Sequence, residues 1–479
     1  MTVIRFYDKM FLMPKTKIIA TIGPVCDDKS KIAKLIKAGV NVFRLNLKHN
    51  SLRWSDTRIK RIREVSKELN AAIGIMVDLK GPELRVGKLK KGSLNLRKGE
   101  KVCLGRGAEI VFENISVLRE LKKGERIFLD DGRIILKVIE SSAGRKDFVK
   151  TEVVIGGVLY SNKGMNLPGV ETSLPALSER DVKSLSLIKK HQPDFVALSF
   201  VREGRDMRSL KRVLDKEGIN ALAIAKIESQ AAIENFEEIL LEADSIMVAR
   251  GDLGVELPIE EVPFWQKYII ERCLRAGKPV ITATEMLSSM IEEERPTRAE
   301  VSDIANSVYD RADALLLSAE TAIGKHPIQA VSVMKKTCEF IEKSLKPKKV
   351  KRQAYDRSSA VVFSAFNLVE RSELPQPFTA FIVLTEEGKT VRLLSSLKPN
   401  LPIFAITPER SVQRQLSLSF GVESFYFDYR QDDVSKAVKS TVEFLRKKGK
   451  LKRGEWVVMI YGDDWRSPGR TNLVRIQEV

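Results

Sequence analysis

The sequence is poor in cysteine and histidine and has no long apolar run. Its 479 residues include four Cys and three His, and no two cysteines form a Cys-x-x-Cys pair. A secreted disulfide scaffold and a histidine-rich zinc site are therefore not expected, and a reducing, cytoplasmic compartment fits best. No stretch approaches the ~18 uncharged apolar residues of a membrane span. Asp8 and Lys9 interrupt the apolar start of the chain, so we expect no signal peptide and no membrane partner.

Acidic side chains are outnumbered by basic ones. The chain has 82 Lys and Arg against 63 Asp and Glu, a formal net charge of +19, and this surplus favours anionic partners. Nucleic acid is not expected among them, because the sequence has no zinc-finger spacing, no basic region joined to heptads and no aromatic RNA-binding signature. The length predicts about three domains, and a composition of 43% hydrophobic and 30% charged residues is typical of a globular protein.

Short β-branched segments alternate with longer amphipathic ones, which predicts an α/β fold with a (β/α)8 TIM barrel. The alternation is interrupted once, between the third and fourth segments. The eight predicted strands are 17–20, 40–45, 73–77, 195–198, 223–225, 245–248, 279–281 and 314–317.

The interruption and the end of the chain predict two further domains. Residues 86–163 contain short alternating strands with turn residues between them, which indicates an inserted β domain. The flanking stretches, 14–85 and 164–343, together approach the ~250 residues typical of a TIM barrel. A basic run at 344–353 predicts a linker. Strands and helices alternate again in 354–479, which predicts a C-terminal open-sheet α/β domain.

Polar and charged residues gather at the predicted strand ends. The carboxyl ends of the strands of a TIM barrel converge on one rim, where the active sites of this fold lie. A single charged residue there is explained as a solubilising cap, but together the residues predict a site. They are Arg44, Asn46, Asp78, Ser199, Lys226, Glu228, Arg250, Asp252, Thr284, Ser318 and Glu320.

Two carboxylates from neighbouring strand ends, Glu228 and Asp252, predict a site for Mg²⁺ or Mn²⁺, which prefer oxygen ligands. Lys226 lies two residues before Glu228, so both side chains share one strand face. A lysine beside a metal suits the charge of a transferring phosphoryl group, and the alternative is a plain ion pair between the two. The backbone amides near Gly251 and Asp252 begin a helical turn and favour anionic oxygens.

Long stretches of the chain carry a second signal. They are KTKIIATIGP (15–24), NVFRLN (41–46), DLKGPELR (78–85), LDDG (129–132), KGMNLPGV (163–170), LPALSERD (174–181), AKIES (225–229), IMVARGDLGVELP (246–258), ITATEMLSSMI (281–291) and RPTRAEVSDIANSVYDRADALLLSAETAIGKHP (295–327). In this order they closely resemble the pyruvate kinase family. The resemblance implies a barrel with an inserted small β-barrel lid and a C-terminal α/β domain, which agrees with the organisation predicted above.

The resemblance also implies an activity. The chain would be a Mg²⁺-dependent phosphotransferase that moves the phosphoryl group of phosphoenolpyruvate to ADP and protonates the enolate, giving pyruvate and ATP in the last step of glycolysis. Arg44 would bind the phosphoryl group and Lys226 would stabilise its charge during transfer. Gly251 and Asp252 would contact the substrate, and Thr284 would lie beside the enolate, where it positions or relays the proton.

The metal and the nucleotide have implied ligands as well. Glu228 and Asp252 would hold Mg²⁺ or Mn²⁺, and Asn46, His49 and Arg85 would contact ADP or ATP. Two alternatives remain open: a catalytically impaired paralogue that senses phosphoenolpyruvate or nucleotide, and a metal-dependent aldolase on the same barrel. The catalytic residues are all present, which disfavours the first, and the insert with its nucleotide-side residues disfavours the second.

The monovalent-cation site departs from the family pattern. Relatives bind K⁺ through the residues that correspond to Asn46 and Asp78, a serine and a threonine, but Lys48 and Leu79 replace the last two here. A lysine ammonium is itself a monovalent cation, so we expect that Lys48 replaces K⁺ and that K⁺ is not required. The alternative is that Lys48 points to solvent and K⁺ still binds. Glu203 also replaces a lysine that many relatives carry near the nucleotide phosphates.

The resemblance extends to regulation and assembly. Family members often bind a phosphorylated effector at two loops of the C-terminal domain, which read TEEGKT (385–390) and YGDDWRSPGRTN (461–472) here. Lys389, Thr390 and Arg466 would hold phosphate at a helix N-terminus, although the neighbouring acidic residues oppose a tight site. The family generally forms homotetramers, and a homotetramer is expected here.

Overall fold

The barrel begins with strands that are almost completely buried. The computed structural model describes residues 14–48, 51–141, 147–170, 172–345, 354–372, 374–464 and 470–479. Strands of a parallel barrel are covered by helices on one face and by core on the other, which is why they are short and apolar. The first elements are β1 (Lys17–Thr21), α1 (Lys29–Ala38), β2 (Val42–Asn46), α2 (Leu52–Glu68) and β3 (Gly74–Leu79).

An all-β insert with its own hydrophobic core follows β3. Its elements are β4 (Leu84–Arg85), β5 (Ser93–Leu96), β6 (Lys101–Gly105), β7 (Ile110–Val111), α3 (Ile115–Glu120), β8 (Arg126–Leu129), β9 (Ile134–Glu140), β10 (Phe148–Ile155), β11 (Gly157–Tyr160) and β12 (Gly164–Asn166). They form a seven-stranded sheet of order β4-β12-β8-β9-β10-β6-β7 and a two-stranded sheet of β11 and β5. Because β4 pairs with β12, the chain leaves the barrel and returns to it side by side.

The remaining strands close the barrel. The elements are α4 (Glu179–His191), β13 (Phe195–Leu198), α5 (Gly204–Lys216), β14 (Leu222–Ile227), α6 (Gln230–Glu234), α7 (Phe236–Glu242), β15 (Ser245–Ala249), α8 (Arg250–Glu256), a 3₁₀ helix (Ile259–Glu261), α9 (Val262–Ala276), β16 (Val280–Ala283), a second 3₁₀ helix (Ser288–Ile291), α10 (Arg298–Tyr309), β17 (Ala314–Leu317), α11 (Ala319–Ala322) and α12 (Pro327–Ser344). The parallel order is β1-β2-β3-β13-β14-β15-β16-β17, and β17 pairs back to β1. The predicted TIM barrel is confirmed.

The C-terminal region is an open α/β sheet, as predicted. Its elements are α13 (Arg357–Glu370), β18 (Phe378–Leu384), α14 (Lys389–Ser396), β19 (Ile403–Thr407), α15 (Arg410–Gln415), a third 3₁₀ helix (Leu416–Leu418), β20 (Val422–Tyr426), α16 (Val434–Lys447), β21 (Trp456–Tyr461) and β22 (Leu473–Glu478). The sheet order is β20-β19-β18-β21-β22, with β22 antiparallel to β21. Sequence analysis missed β22, although the alternation of Val474 and Ile476 with polar residues is a strand signal.

The remaining sequence predictions concern the linker, membrane spans and the cysteines. Of the predicted linker, 344–353, residues 346–353 lie outside the described residues, and Ser344 is the last residue of α12. Among the helices of the described ranges, none combines the length and the apolar character needed to cross a membrane. The four cysteines are all unpaired.

Local capping residues explain where several barrel helices begin and end. Ser178 and Asp181 form a reciprocal capping box at the start of α4, and Thr297 and Glu300 form another at the start of α10. Each box satisfies backbone N–H groups that have no partner inside the helix. Gly277 ends α9 with φ of 71°, a left-handed conformation that glycine adopts without steric cost.

The C-terminal domain packs against the amino end of the barrel and covers it. The barrel interior is packed with side chains such as Met76, Phe195 and Ile224, and Leu418 from the third 3₁₀ helix joins this core. A Cβ on Gly74 would lie 2.5 Å from the Ser417 hydroxyl oxygen, so the close approach of this helix needs a glycine at the start of β3. The carboxyl end of the barrel therefore remains as the open end.

Candidate active site

A buried network of charges lies where β2, β3, β13 and β14 end. Arg44 donates from Nε to Asp78 Oδ2 at 2.8 Å, and its Nη2 lies 2.6 Å from the same oxygen. Lys226 Nζ lies 2.7 Å from Glu228 Oε1 and 3.5 Å from Asp78 Oδ2. It also donates to Ser199 Oγ at 2.7 Å. Two cations and two carboxylates thus compensate one another in a space that water barely reaches.

The protonation states of this network follow from burial and from neighbouring charges. Burial opposes ionisation of Asp78, but the charges of Lys226 and Arg44 outweigh it and lower the pKa of this carboxyl. Burial likewise opposes the charge of Lys226, but Asp78 and Glu228 outweigh it and raise the pKa of the amine. Burial raises the pKa of Glu228 to about 7, against the attraction of Lys226, and the charge of Asp252 adds to the rise. The charge of Lys226 is therefore stabilised by its neighbours, whereas burial and Asp252 oppose the charge of Glu228.

Thr284 has an unusual backbone conformation at the end of β16. Its φ is +69° and that of Glu285 is +57°, the left-handed region that β-branched residues rarely adopt. The Thr284 hydroxyl accepts from the Gly251 amide at 2.7 Å and donates to the Ala283 carbonyl at 2.6 Å. Strained residues of this kind concentrate at functional sites. The loops after β15 and β16 are thus joined at the point where sequence analysis placed substrate contacts.

The rim between the barrel and the insert has a cluster of cations around one carboxylate. Glu83, whose side chain is 6% exposed, lies 2.5 Å from Lys48 Nζ and 3.7 Å from Lys80 Nζ. Arg85 donates to both Glu83 oxygens at 2.9 and 2.8 Å. Burial opposes ionisation of Glu83, but hydrogen bonds from Arg85 and Lys48 outweigh it and lower its pKa. Lys48 is therefore held by a carboxylate within the protein, and its amide donates to Asn46 Oδ1 at 2.9 Å.

A cavity of about 270 Å³ opens at this rim, between the insert and the barrel. Lys48, Arg85, Lys163, Asp130 and Asp252 are among its lining residues. Its floor is the end of the barrel and its roof is the insert, so a ligand there touches both. Its three basic residues are already paired, Lys48 and Arg85 with Glu83 and Lys163 with Asp130. A ligand there therefore meets charges of both signs.

Glu228 and Asp252 are the two carboxylates that sequence analysis assigned to a divalent cation. Burial raises the pKa of Glu228, and the charge of Asp252 adds to the rise, so a cation beside Glu228 would relieve both effects. Mg²⁺ is commonly held by one or two carboxylates together with water and substrate oxygens. Over the ranges that the structure covers, no group of three or more His, Cys, Asp or Glu gathers as a ready-made cage. The pair fits Mg²⁺ with substrate as a further ligand.

Comparison with known proteins identifies the family. The profile of the pyruvate kinase barrel domain matches residues 13–331, and the profile of the pyruvate kinase alpha/beta domain matches residues 360–477. The chain belongs to the pyruvate kinase family. It is an enzyme of the phosphotransferase class, as the sequence motifs predicted.

Individual pyruvate kinases resemble the chain over nearly its whole length. Those of Staphylococcus aureus strains MRSA252 and USA300 are each 38% identical over 482 residues, which covers 98% of this chain and 81% of theirs. The crystal structure of a pyruvate kinase from Cryptosporidium parvum superposes with a TM-score of 0.89 at 31% identity. That match covers 97% of this chain and 96% of the other, so the order of barrel, insert and C-terminal domain is shared.

The structure brings most predicted site residues of this pyruvate kinase together, in three groups. Arg44, Asp78, Lys226 and Glu228 share the buried network, Gly251 and Thr284 are hydrogen-bonded, and Lys48, Arg85 and Asp252 line the cavity. His49 and Arg466 lie outside the described residues. Glu203 is the N-cap residue of α5 and accepts from Arg205 at 2.7 Å, so the cation beside it is already paired.

Sequence analysis gave no role to three residues that position other side chains of the site. Ser199 stood among the strand-end residues without a role, yet it bridges Lys226 and Asp78. Glu83 organises the rim cations, and the adjacent basic residues in KGPELR were the available signal. Asp303 lies on helix α10 and pairs with Arg250, the first residue of α8. No local sequence pattern reveals this contact. Glu320, in contrast, accepts from two backbone amides and is explained by structure alone.

Proposed function

We propose that the chain transfers the phosphoryl group of phosphoenolpyruvate to ADP, giving pyruvate and ATP, with Mg²⁺ or Mn²⁺ as cofactor. The observation that carries the proposal is the buried Arg44–Asp78–Lys226–Glu228 network beside a third carboxylate, Asp252. In the reaction the bond between phosphorus and the enol oxygen breaks while a bond forms to the terminal oxygen of ADP. The enolate then takes a proton at its terminal carbon. Such a cationic, water-poor site stabilises the charge of the transferring group.

The residues of the chain divide this work. Arg44 is fixed by Asp78 and presents its remaining donors to the phosphoryl group, and Lys226 supplies a charge that its two carboxylate partners maintain. Glu228 and Asp252 would hold Mg²⁺, which supplies charge neutralisation at the phosphoryl and carboxylate oxygens when bound. We place the three-carbon unit beside Gly251 and Thr284, whose amide and hydroxyl are hydrogen-bonded to each other. Thr284 positions or relays the proton, since a hydroxyl at its ordinary pKa is a weak acid.

We assign the nucleotide to the rim cavity. Arg85 lines it beside Lys48, and both are oriented by Glu83. Asn46 and His49 complete the set that the family resemblance implies. The roof over this cavity belongs to the insert, which therefore acts as a lid that spans residues 86–163, with the paired strands β4 and β12 at its borders. The barrel then consists of 14–85 and 164–343 and the C-terminal domain of 354–479.

A coupled assay of pyruvate formation tests the proposal. Purified protein is mixed with phosphoenolpyruvate, ADP and Mg²⁺, and pyruvate is detected through oxidation of a nicotinamide cofactor by an added dehydrogenase. We expect turnover that stops when EDTA removes the divalent cation and resumes on adding Mg²⁺ or Mn²⁺. Absence of turnover under every cation condition would contradict the proposal and favour a binding role.

We propose further that Lys48 replaces K⁺. The ammonium lies 2.5 Å from Glu83 and its side chain is 25% exposed, which supports a fixed charge and disfavours a side chain pointing to solvent. Wild-type turnover in Na⁺ or Tris buffer is expected to be independent of KCl. Lys48→Ser should lose roughly tenfold, or ~1.4 kcal/mol, in the absence of K⁺ and recover when KCl is added.

Lys80→Ser is the matched control for the cation proposal. Lys80 is a second lysine near Glu83, but its Nζ lies 3.7 Å away. Loss of this charge should not create a K⁺ requirement. Strong KCl activation of the wild type, or equal KCl rescue of both variants, would contradict the proposed role of Lys48.

Assembly, regulation and location complete the proposal. A cytoplasmic homotetramer fits the family, and analytical ultracentrifugation tests it. A phosphorylated effector would bind at the start of α14, where the hydroxyls of Thr390 and Thr471 lie 2.6 Å apart and Lys389 pairs with Glu387. Because that pair already neutralises Lys389, we expect weak binding, measurable as a shift in the phosphoenolpyruvate dependence of turnover when sugar phosphates are added.

A further inference from the structure

Arg250 joins the two loops that carry Gly251 and Thr284. It is the first residue of α8, directly after β15 and next to Gly251. Its side chain crosses to the end of β16, where Nη2 donates to the Thr284 carbonyl at 2.7 Å and Nε donates to the Ala283 carbonyl at 3.4 Å. One side chain therefore holds the carbonyls of the two peptides that flank the Thr284 Cα atom.

The other donors of Arg250 anchor it to the outer helices. Nη1 and Nη2 each donate to Asp303 at 2.7 Å, one to each carboxylate oxygen. Nη1 also donates to Gln266 Oε1 at 3.3 Å. All five N–H bonds of the guanidinium thus have an acceptor. The planar fork matches a carboxylate on one side and a backbone carbonyl on the other, an arrangement that the three donors of a lysine cannot reproduce.

The hydrogen bonds from Arg250 to the Ala283 and Thr284 carbonyls explain how Thr284 keeps its conformation. A β-branched residue at φ of +69° persists where surrounding contacts hold it in place. The hydroxyl contact with the Gly251 amide fixes the side chain, and Arg250 fixes the carbonyl on the far side of the same residue. Without the fork, Thr284 would return to an ordinary backbone conformation and its hydroxyl would leave the Gly251 amide.

We infer that Arg250 is a positioning residue for the protonation step, acting through Thr284 with Asp303 as its anchor. This inference rests on the proposed function. It assigns to Arg250 no contact with substrate, because every N–H of the guanidinium is hydrogen-bonded within the protein and the side chain is 11% exposed. Its effect is on the geometry of the hydroxyl that faces the enolate carbon.

The test compares Arg250→Lys and Asp303→Asn with Arg63→Lys. Arg63 also pairs with a buried carboxylate, Asp194 at 2.9 Å, but at the amino end of the barrel. We expect Arg250→Lys to lower kcat by ~10²-fold with the KM for ADP within about twofold, because a displacement of about 1 Å is sufficient for such a loss. Asp303→Asn keeps one acceptor and should lose less. Arg63→Lys should lower the melting temperature with kcat within about twofold of wild type.

Two readouts separate positioning from general damage. The first is exchange of the methyl protons of pyruvate in D₂O, followed by ¹H NMR, which runs the protonation step in reverse and should fall with kcat in Arg250→Lys. The second is a crystal structure of Arg250→Lys, in which Thr284 should have left φ near +69°. Unchanged exchange, or a Thr284 that keeps its conformation and its Gly251 contact, overturns the inference.

Failure of the proposed function is distinguishable from failure of the inference. A wild type with turnover beside an Arg250→Lys variant of equal kcat overturns the inference alone. A wild type without turnover contradicts the proposed function. The crystal structure of Arg250→Lys then tests the structural part of the inference, that Arg250 holds Thr284 in place: a Thr284 that remains left-handed overturns it.

Discussion

The two ends of the barrel bury carboxylates in opposite ways. At the amino end, Asp194 accepts from the Ile75 amide at 2.8 Å and pairs with Arg63 and with Arg414 from the C-terminal domain. At the carboxyl end, Glu228 has one partner cation and a second carboxylate near enough to raise its pKa to about 7. The first arrangement surrounds one carboxylate with two cations and an amide, whereas the second places Glu228 between one cation and another carboxylate.

A second aspartate repeats the amino-end pattern. Asp313 accepts from the Val280 amide at 3.0 Å and from the Phe420 amide at 3.3 Å, and it pairs with Lys398 Nζ at 2.6 Å. Each carboxylate thus ties the start of a barrel strand to the C-terminal domain. In a TIM barrel the amino end serves stability and the carboxyl end serves chemistry. Here the difference is visible in what surrounds the buried carboxylates: cations and backbone amides of two domains at the amino end, and a neighbouring carboxylate at the carboxyl end.

The comparison predicts that two buried lysines, one at each end, have different functions. Lys226 at the carboxyl end contacts Glu228 and Ser199, and it has no contact with the C-terminal domain among the hydrogen bonds and ion pairs given for the described residues. Lys226→Met should lower kcat by about a thousandfold, since a preorganised charge at the transferring group is lost. Steady-state kinetics in the coupled assay measures this effect.

The outcome that would break the comparison for Lys226 is a stability effect without a kinetic one. If Lys226→Met melts at a lower temperature but keeps kcat within about tenfold of wild type, the carboxyl-end network is structural. Lys226→Arg is a useful companion variant because it keeps the charge and changes its shape. We expect it to restore little turnover, since a planar guanidinium does not reproduce the compact ammonium that contacts both Ser199 and Glu228.

Lys398→Met is the counterpart at the amino end. Lys398 is 4% exposed and its ammonium also lies 4.5 Å from the Phe420 ring centroid. Removing one partner of a buried ion pair leaves Asp313 uncompensated, which costs ~3 kcal/mol of unfolding free energy. Denaturant unfolding measures it, and kcat should stay within about twofold. A loss of kcat as large as that of Lys226→Met would show that the amino end takes part in the chemistry.

The fold and the barrel rim were predictable because their signals are local. Strand 195–198 was found at its observed bounds, and Lys226 and Glu228 were placed on one face by their two-residue spacing. The contact between Arg250 and Asp303 could not be found this way. Asp303 lies 53 positions from Arg250 along the chain, and the helix that carries it has a capping signal at its start but nothing that marks this side chain.

The amino end shows the same limit more strongly. Asp194 and Arg414 are 220 positions apart, and Leu418 enters the barrel core from another domain. Hydrophobic periodicity predicts which face of an element is buried, but it does not say which domain covers it. The basic surplus of the sequence pointed to anionic partners, whereas several of these cations are used inside the protein, on Asp194, Asp313 and Glu83.

The smallest of the effects that compare the two ends concerns pH, and it distinguishes them by sign. Burial lowers the pKa of Lys17, at the amino end, from 10.5 to about 8, against the attraction of nearby acids. The unfolded chain then binds more protons than the folded one between pH 8 and 10.5, so stability rises with pH there. Glu228, with its pKa raised from 4.5 to about 7, gives the opposite slope: the folded chain binds more protons between pH 4.5 and 7, and stability falls as pH rises.

Comparing Lys17→Met with wild type by denaturant unfolding at pH 7, 8, 9 and 10 isolates the amino-end contribution. Because the Lys17 amine donates to the Val422 carbonyl at 2.8 Å, its neutral form still fits the site, and the wild type should gain about 2–3 kcal/mol over the variant across this range. Lys91→Met, at an exposed position of the insert, controls for the loss of a solvated lysine. A difference that does not change with pH would mean that Lys17 keeps its charge in the folded chain, and the contrast in sign between the two ends would be lost.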